Sequence, residues 1–281
     1  MFVGGGVIGL ACAWRAAQRG ARVAVLERAA PPAGATNVAA GMLAPVGELT
    51  FGERELLELS LASGALWPDF AAAVEAAGGG STGFSHCGAL HVALDRDEAG
   101  ELRRHHDLQR ELGLEAEWLT PRQCRDLEPG LVPTFAGGVL AGAEASVDPR
   151  ALALALAAAL RAAGGEFRTG TEVVDGLWDG ERLVGVRVAP AHLPPSAQPS
   201  VLSNPLGDKG QRVDVHADAV VLCNGAWSGQ TAWLPDEARP PVRPVKGETV
   251  ELRPRAGEGA PASRIVCSER VYLVPRPDGR L

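Results

Sequence analysis

Six histidines, His86, His91, His105, His106, His192 and His216, show no metal-ligand spacing, and five scattered cysteines, Cys12, Cys87, Cys124, Cys223 and Cys267, contain no C-x-x-C pair. Zinc sites and disulfide frameworks both need such spacing, so neither is expected, and an odd, dispersed set of thiols fits a reducing compartment. Packing is the expected task of the cysteines, and a wet helix face that of His105 and His106. No basic tract relieves a net charge of −7, which argues against nucleic acid or an anionic membrane surface as a partner. No apolar run reaches the roughly 18 residues that a membrane span needs. The N-terminus enters a glycine turn at once, leaving no room for a signal peptide, so a cytoplasmic, soluble protein is expected.

What is present is ample apolar material: 281 residues at 46% hydrophobic content can bury one large or two ordinary domains. The most specific local pattern is Gly4-Gly5-Gly6-Val7-Ile8-Gly9. In a chain with 35 glycines such a pattern is weak by itself, but its context is right. A helix-compatible run from Val7 to Arg19 follows, closed by Gly20, and Arg22 to Leu26 reads as a second buried strand ending at Glu27. A strand–turn–helix of this kind cradles a pyrophosphate, and an acid about 20 residues on accepts ribose hydroxyl hydrogen bonds. Only Met1-Phe2-Val3 precede the glycines, so the first strand is short or starts upstream.

Further along, a helix is expected from Gly52 toward Ala77, broken or kinked at Trp67-Pro68 and ended by Gly78-Gly79-Gly80. Gly88 to Leu94 reads as a strand and Asp97 to Leu112 as a charged helix, and Thr120-Pro121 caps a short helix ending before Pro129. Arg150 to Ala163 is strongly helical, started by Asp148-Pro149. Phe167 to Thr169, Thr171 to Trp178 and Leu183 to Val188 read as strands, the last two joined by an Asp179-Gly180 turn. The proline-rich stretch 189–212 is expected as a mobile insertion lengthening a hairpin toward the strand Val213 to His216. Ala219 to Cys223 reads as a buried strand running into Asn224-Gly225, where a ligand can approach the backbone. The expected architecture is α/β: a Rossmann-like core of residues 1–77 and 144–240, and an inserted, mainly antiparallel α+β domain of residues 78–143 and 241–281.

The order of these pieces resembles the D-amino-acid oxidase family of FAD-dependent oxidoreductases, and within it the glycine oxidase branch that serves thiamine thiazole synthesis. The resemblance rests on the glycine turn, on the segment Ala35 to Pro45, and on Gly88-Ala89-Leu90, Leu127 to Leu131, Val147-Asp148-Pro149, Gly225 to Ser228, Pro244 to Glu248 and Val271 to Arg276. It implies FAD as cofactor, with Gly4, Gly6, Val7, Ile8 and Gly9 at the pyrophosphate and Glu27 and Arg28 flanking the adenosine ribose. Ala35, Thr36, Ala40, Gly41 and Met42 would line the central flavin, with Val173 near the adenine, and Gly225 and Trp227 at the strand edge. Tyr272 matches a substrate-pocket tyrosine, with strand packing as its other reading. Asn224 departs from the family, which has a small residue there.

The implied reaction is oxidative deamination of glycine or a small amine-bearing acid by FAD and dioxygen, to an oxo acid, ammonia and hydrogen peroxide. No side chain is required as an obligatory acid or base. Sarcosine or a small D-amino acid stays open as the substrate, as do a dehydrogenase of the same family, an inactive FAD-binding fragment, and a homo-oligomeric state. The chain stops just after the Asp278-Gly279 turn signal and reads as truncated in mid-hairpin. The family's carboxylate-binding arginine would lie beyond Leu281.

Overall fold

The computed structural model describes residues 1–191, 212–255 and 259–281. Along the chain the first elements are β1 (Phe2–Val3), α1 (Val7–Gln18), β2 (Ala24–Leu26), α2 (Gly34–Val38), β3 (Met42–Leu43), α3 (Arg54–Val74), β4 (Ala89–Ala93), α4 (Arg96–Glu111), β5 (Glu117–Leu119) and α5 (Pro121–Leu127). There follow β6 (Gly137–Ala141), β7 (Ala145–Ser146), α6 (Pro149–Ala162), β8 (Glu166–Arg168), β9 (Thr171–Asp179), β10 (Arg182–Pro190), β11 (Val213–His216), β12 (Val221–Leu222), β13 (Ile265–Cys267) and β14 (Tyr272–Leu273). Two compact units result: Met1–Ala39 with Val74–Thr82 and Pro149–Glu248, and Ala40–Ala73 with Gly83–Asp148 and Thr249–Leu281.

The first unit is built on an all-parallel sheet in the order β12-β1-β2-β8. β1 is only two residues long, yet it is paired on both sides, which is what a buried central strand requires. Helix α1 packs on α6, whose buried face alternates Leu152, Leu156 and Leu160 with small alanines such as Ala153 and Ala157. Leucines four residues apart form one stripe, and the alanines between them let the helices approach closely. A hairpin of β9 and β10, extended by β11, closes over Val3, Leu26, Val186 and Val188.

The second unit carries a five-stranded sheet ordered β14-β13-β4-β6-β5, antiparallel except for the parallel β13–β4 pair. Leu90, Val92, Leu119, Cys124, Ala262 and Val266 form its core. Asp95 caps α4 by accepting from the amides of Asp97 and Glu98. The C-terminal turn is anchored by Arg280, whose guanidinium meets Asp278 at 2.6 Å, Glu251 at 2.9 Å and Asp148 at 3.0 Å.

Several expectations shift. The two compact units divide the chain differently from the expected bounds: residues 40–73 fall in the unit that holds the five-stranded sheet. Pro68 does not interrupt α3, which runs unbroken from Arg54 to Val74 and passes into a single π-turn, Glu75–Gly79, where Gly78 takes φ +88°. Burial of Leu57, Ala71 and Val74 on either side outweighs a proline penalty of about 3 kcal/mol. The strand expected as buried over 219–223 shrinks to β12, and Val221 is exposed because this strand is the sheet's edge. His105 and His106 are half-buried: His105 lies 5.1 Å from the Phe51 ring and His106 Nε2 is 3.2 Å from the Ala116 carbonyl. Of the thiols, Cys124 and Cys267 are buried and Cys12 is exposed. The greater part of the proline-rich insertion, residues 192–211 with His192, lies outside the described residues. Among the described residues no helix is long and apolar enough to cross a membrane, and no group of three His, Cys, Asp or Glu could hold a metal ion.

Candidate functional site

The glycine turn between β1 and α1 is tight enough that side chains are excluded at defined atoms. Gly4 has φ +107°, and a Cβ there would lie 2.3 Å from the Cys223 carbonyl oxygen. At Gly9 the added carbon would fall 2.1 Å from the Gly4 carbonyl oxygen, and at Gly5 it would press on Phe167 and Glu27. Three glycines are thus needed for helix, strand and neighbouring strand to meet.

The N-terminus of α1 has neither a side-chain cap on Gly6 nor an acid in its first turn. Opening amides of a helix attract anions, and an acid in the first turn would compete with one. Thr36 Oγ1 accepts the Val7 amide at 3.2 Å, while Ile8 projects outward and is largely exposed. Glu27 ends β2 and turns its carboxylate to the same place: Oε2 accepts from the Gly5 amide at 2.7 Å and Oε1 from the Ala29 amide at 2.9 Å. The residues present therefore fit a dinucleotide's diphosphate, with a carboxylate set beside it.

Arg28, Gly34 and Trp227 also come together. The Arg28 guanidinium lies 4.8 Å from the Trp227 ring centre, and a side chain on Gly34 would meet that ring at 3.3 Å. Ala35 is exposed beside buried Thr36, and Gly225 opens a 3-10 turn with φ +55°. Val173 pairs with Val188 and packs on the core beneath the hairpin. Gly4, Gly6, Val7, Ile8, Gly9, Glu27, Arg28, Ala35, Thr36, Val173, Gly225 and Trp227 all belong to the first unit.

Ala40, Gly41, Met42 and Tyr272 belong to the second unit. Gly41 adopts φ +80°, and its carbonyl accepts from the Val147 amide at 2.9 Å. Met42 enters β3, pairs with Ser146 and packs toward Ala89, Ile265 and Val274. The Ala40 carbonyl accepts from Arg276 Nη2 at 2.5 Å, and the same guanidinium donates to the Val147 carbonyl at 2.6 Å. Arg276 is thus a positioning group for the Ala40–Met42 segment. Sequence reading placed it in the family pattern without a role, because backbone carbonyls 236 residues away in the chain leave no local signal.

A cavity of about 420 Å³ opens beside this segment, lined by Met42, Ala44, Pro45, Glu48 and Leu49 on one wall and by Leu56, Ser60 and Trp67 of α3 on the other. Tyr272 does not line it; the side chain sits on β14, opposite Cys267, and is half-exposed. The Glu48 carboxyl is pushed above the usual carboxylate range by burial of its end and by the charge of Glu144, which His91 partly offsets. Burial, with Glu144 and Glu48 adding, pushes the Cys267 thiol up to about 12, so it stays protonated and inert as a nucleophile.

The family described as "DAO: FAD dependent oxidoreductase" matches residues 3–281. A curated protein called "Bifunctional protein ThiO/ThiG" from Trichormus variabilis is 31% identical over 280 residues, covering 99% of this chain and 38% of its own. "Glycine oxidase" from Geobacillus kaustophilus is 31% identical over 281 residues, covering 100% of this chain and 67% of its own. The crystal structure of glycine oxidase from Geobacillus kaustophilus superposes with a TM-score of 0.83 at 30% identity, over all of this chain and 68% of that one. The chain therefore spans between about a third and two thirds of the length of these relatives.

Proposed function

This chain belongs to the DAO family of FAD dependent oxidoreductases, and from that premise we propose that it oxidises glycine or another small amine-bearing acid, with dioxygen as electron acceptor, for thiamine thiazole synthesis. The observation that carries the reading is the opening turn: a helix start with no cap from Gly6 and no acid in its first turn, glycines that admit no side chain, and the Glu27 carboxylate on the Gly5 amide. When bound, FAD supplies the two-electron chemistry that converts the amine to an imine, which water splits into an oxo acid and ammonia while dioxygen leaves as hydrogen peroxide.

The chain's own residues bind and orient. Amides at the start of α1, next to Gly6, Val7, Ile8 and Gly9, take the diphosphate, and Glu27 takes the ribose hydroxyls in exchange for one of its present backbone donors. Arg28 and Trp227, already stacked, flank the adenosine, near which Val173 lends its backbone. Within the second unit, Arg276 and Val147 hold the Ala40–Met42 segment, which the resemblance assigns to the flavin. Tyr272 is given to the substrate side by the resemblance alone, since it stands outside the cavity. A cytoplasmic setting and a homo-oligomeric assembly complete the reading.

The test is direct. Purified protein is expected to be yellow, with flavin absorbance bands that fade after Glu27→Ala as the dissociation constant for FAD rises about tenfold or more. Peroxide release on adding glycine or sarcosine is expected of the full-length protein. Colourless protein that fails to take up added FAD, or equal FAD affinity in the Glu27→Ala variant, contradicts the assignment.

A further inference from the structure

Two buried polar side chains and one partly buried histidine converge beneath one wall of the cavity. Glu144, at 1% exposure, places Oε1 on the Gly47 amide at 2.5 Å, while Gln109 Nε2 donates to the Val46 carbonyl at 3.0 Å. His91 on β4 lies directly under Gly47: a Cβ on that glycine would fall 2.1 Å from His91 Nε2 and 3.1 Å from Glu144 Oε1. The three come from distant parts of the chain and meet at consecutive residues of one turn. That turn, closed by the Glu48 amide on the Ala44 carbonyl at 3.0 Å, lines the cavity with Ala44, Pro45 and Glu48.

Stability alone does not account for this cluster. Among the described residues His91 Nε2, Glu144 Oε2 and Gln109 Oε1 are buried without a hydrogen-bond partner, and such atoms disfavour the fold against apolar replacements of the same shape. His91 Nε2 and Glu144 Oε2 stand 3.8 Å apart, beyond a hydrogen bond. An arrangement that disfavours the fold is kept for where it puts the backbone.

We propose that Glu144, backed by His91 and Gln109, is the positioning residue for the Ala44–Glu48 turn, and that it thereby sets the width of the cavity in which the small amine-bearing acid is held. This rests on the oxidase reading of the preceding subsection. The carboxylate grips the amide of the one residue on the turn that has no side chain, so the turn is held against the His91 ring as closely as its backbone allows.

The experiment uses the full-length, FAD-loaded protein and the variants Glu144→Gln, Glu144→Leu and Gly47→Ala, with kcat and KM for glycine and sarcosine and hydrogen exchange at the Gly47 amide in glycine-labelled protein. Glutamine keeps an acceptor for Gly47, so its KM is expected within about twofold of wild type and exchange stays slow. Leucine removes the acceptor: the Gly47 amide is expected to exchange at least tenfold faster and KM to rise about tenfold, with kcat and FAD content within twofold. Gly47→Ala pushes the turn off His91 without touching the carboxylate, and the same rise in KM is expected; it also serves if the leucine variant does not fold. Unchanged Gly47 exchange in Glu144→Leu overturns the positioning role whatever the turnover. Faster exchange with unchanged KM overturns its link to substrate. Wild-type protein that releases no peroxide with either amine sinks the oxidase reading instead, and Gly47 exchange still decides the role of Glu144.

Discussion

An alanine at position 9 has no room: its methyl carbon would stand 2.1 Å from the Gly4 carbonyl oxygen and 3.2 Å from the Cys223 side chain. The first obstacle is backbone, which cannot swing aside as a long side chain could, so α1 must lift off β1. Overpacking of this kind costs about 1–3 kcal/mol and sometimes more. Gly9→Ala is therefore expected to lower the unfolding free energy measured in urea by that amount and to weaken FAD retention with it, and a variant with wild-type stability and FAD content would show the turn to be looser than described. This residue was legible in the sequence because the glycine spacing reports a local backbone requirement. Glu144 was not: it reads as one acid among 34 Asp and Glu, and only its 2.5 Å contact with Gly47, 97 residues away, sets it apart. Arg276 is the same case, a cation in a strand-end motif until its two carbonyl partners are seen.

Elements whose ends are written in adjacent residues were the most readable. Helix α5 starts with Thr120-Pro121 and closes a capping box: the Gln123 amide reaches Thr120 Oγ1, and Gln123 Oε1 accepts the Thr120 amide at 2.9 Å. Removing such a cap costs about 1 kcal/mol. Thr120→Ala is expected to lose that much by urea denaturation and Thr120→Ser to recover most of it; equal stability of all three would mean the box contributes nothing. Helix α3 shows the opposite. Pro68 is a strong local stop signal, yet the helix continues through it, since buried residues on both sides hold its turns in place. The strand at 219–223 was misjudged for a related reason: an apolar run says that a segment suits a sheet, but whether it is central or at an edge depends on which strands come to lie beside it.

At the scale of the molecule, the chain passes between the two units after residues 39, 73, 82, 148 and 248, so neither unit is a continuous segment. A cut at one of these points does not release a finished domain. The fragment 1–148 keeps β1 and β2 but loses β8, β12 and α6, which supply both outer strands of the parallel sheet and the helix packed on α1. That fragment is expected to show no cooperative thermal transition by circular dichroism, and a single sharp transition there would mean that its segments fold without their partners. By itself the sequence determined the α/β class, the glycine cradle with its acid, the helix caps and the resemblance to flavin-dependent amine oxidases, all of which rest on spacing between near neighbours. The tertiary structure alone decided that residues 40–73 join the five-stranded sheet, that Arg276 grips the Ala40 carbonyl, and that Glu144, His91 and Gln109 meet under Gly47. Contacts between residues far apart in the chain are chosen by packing, and packing leaves no period or motif along the chain.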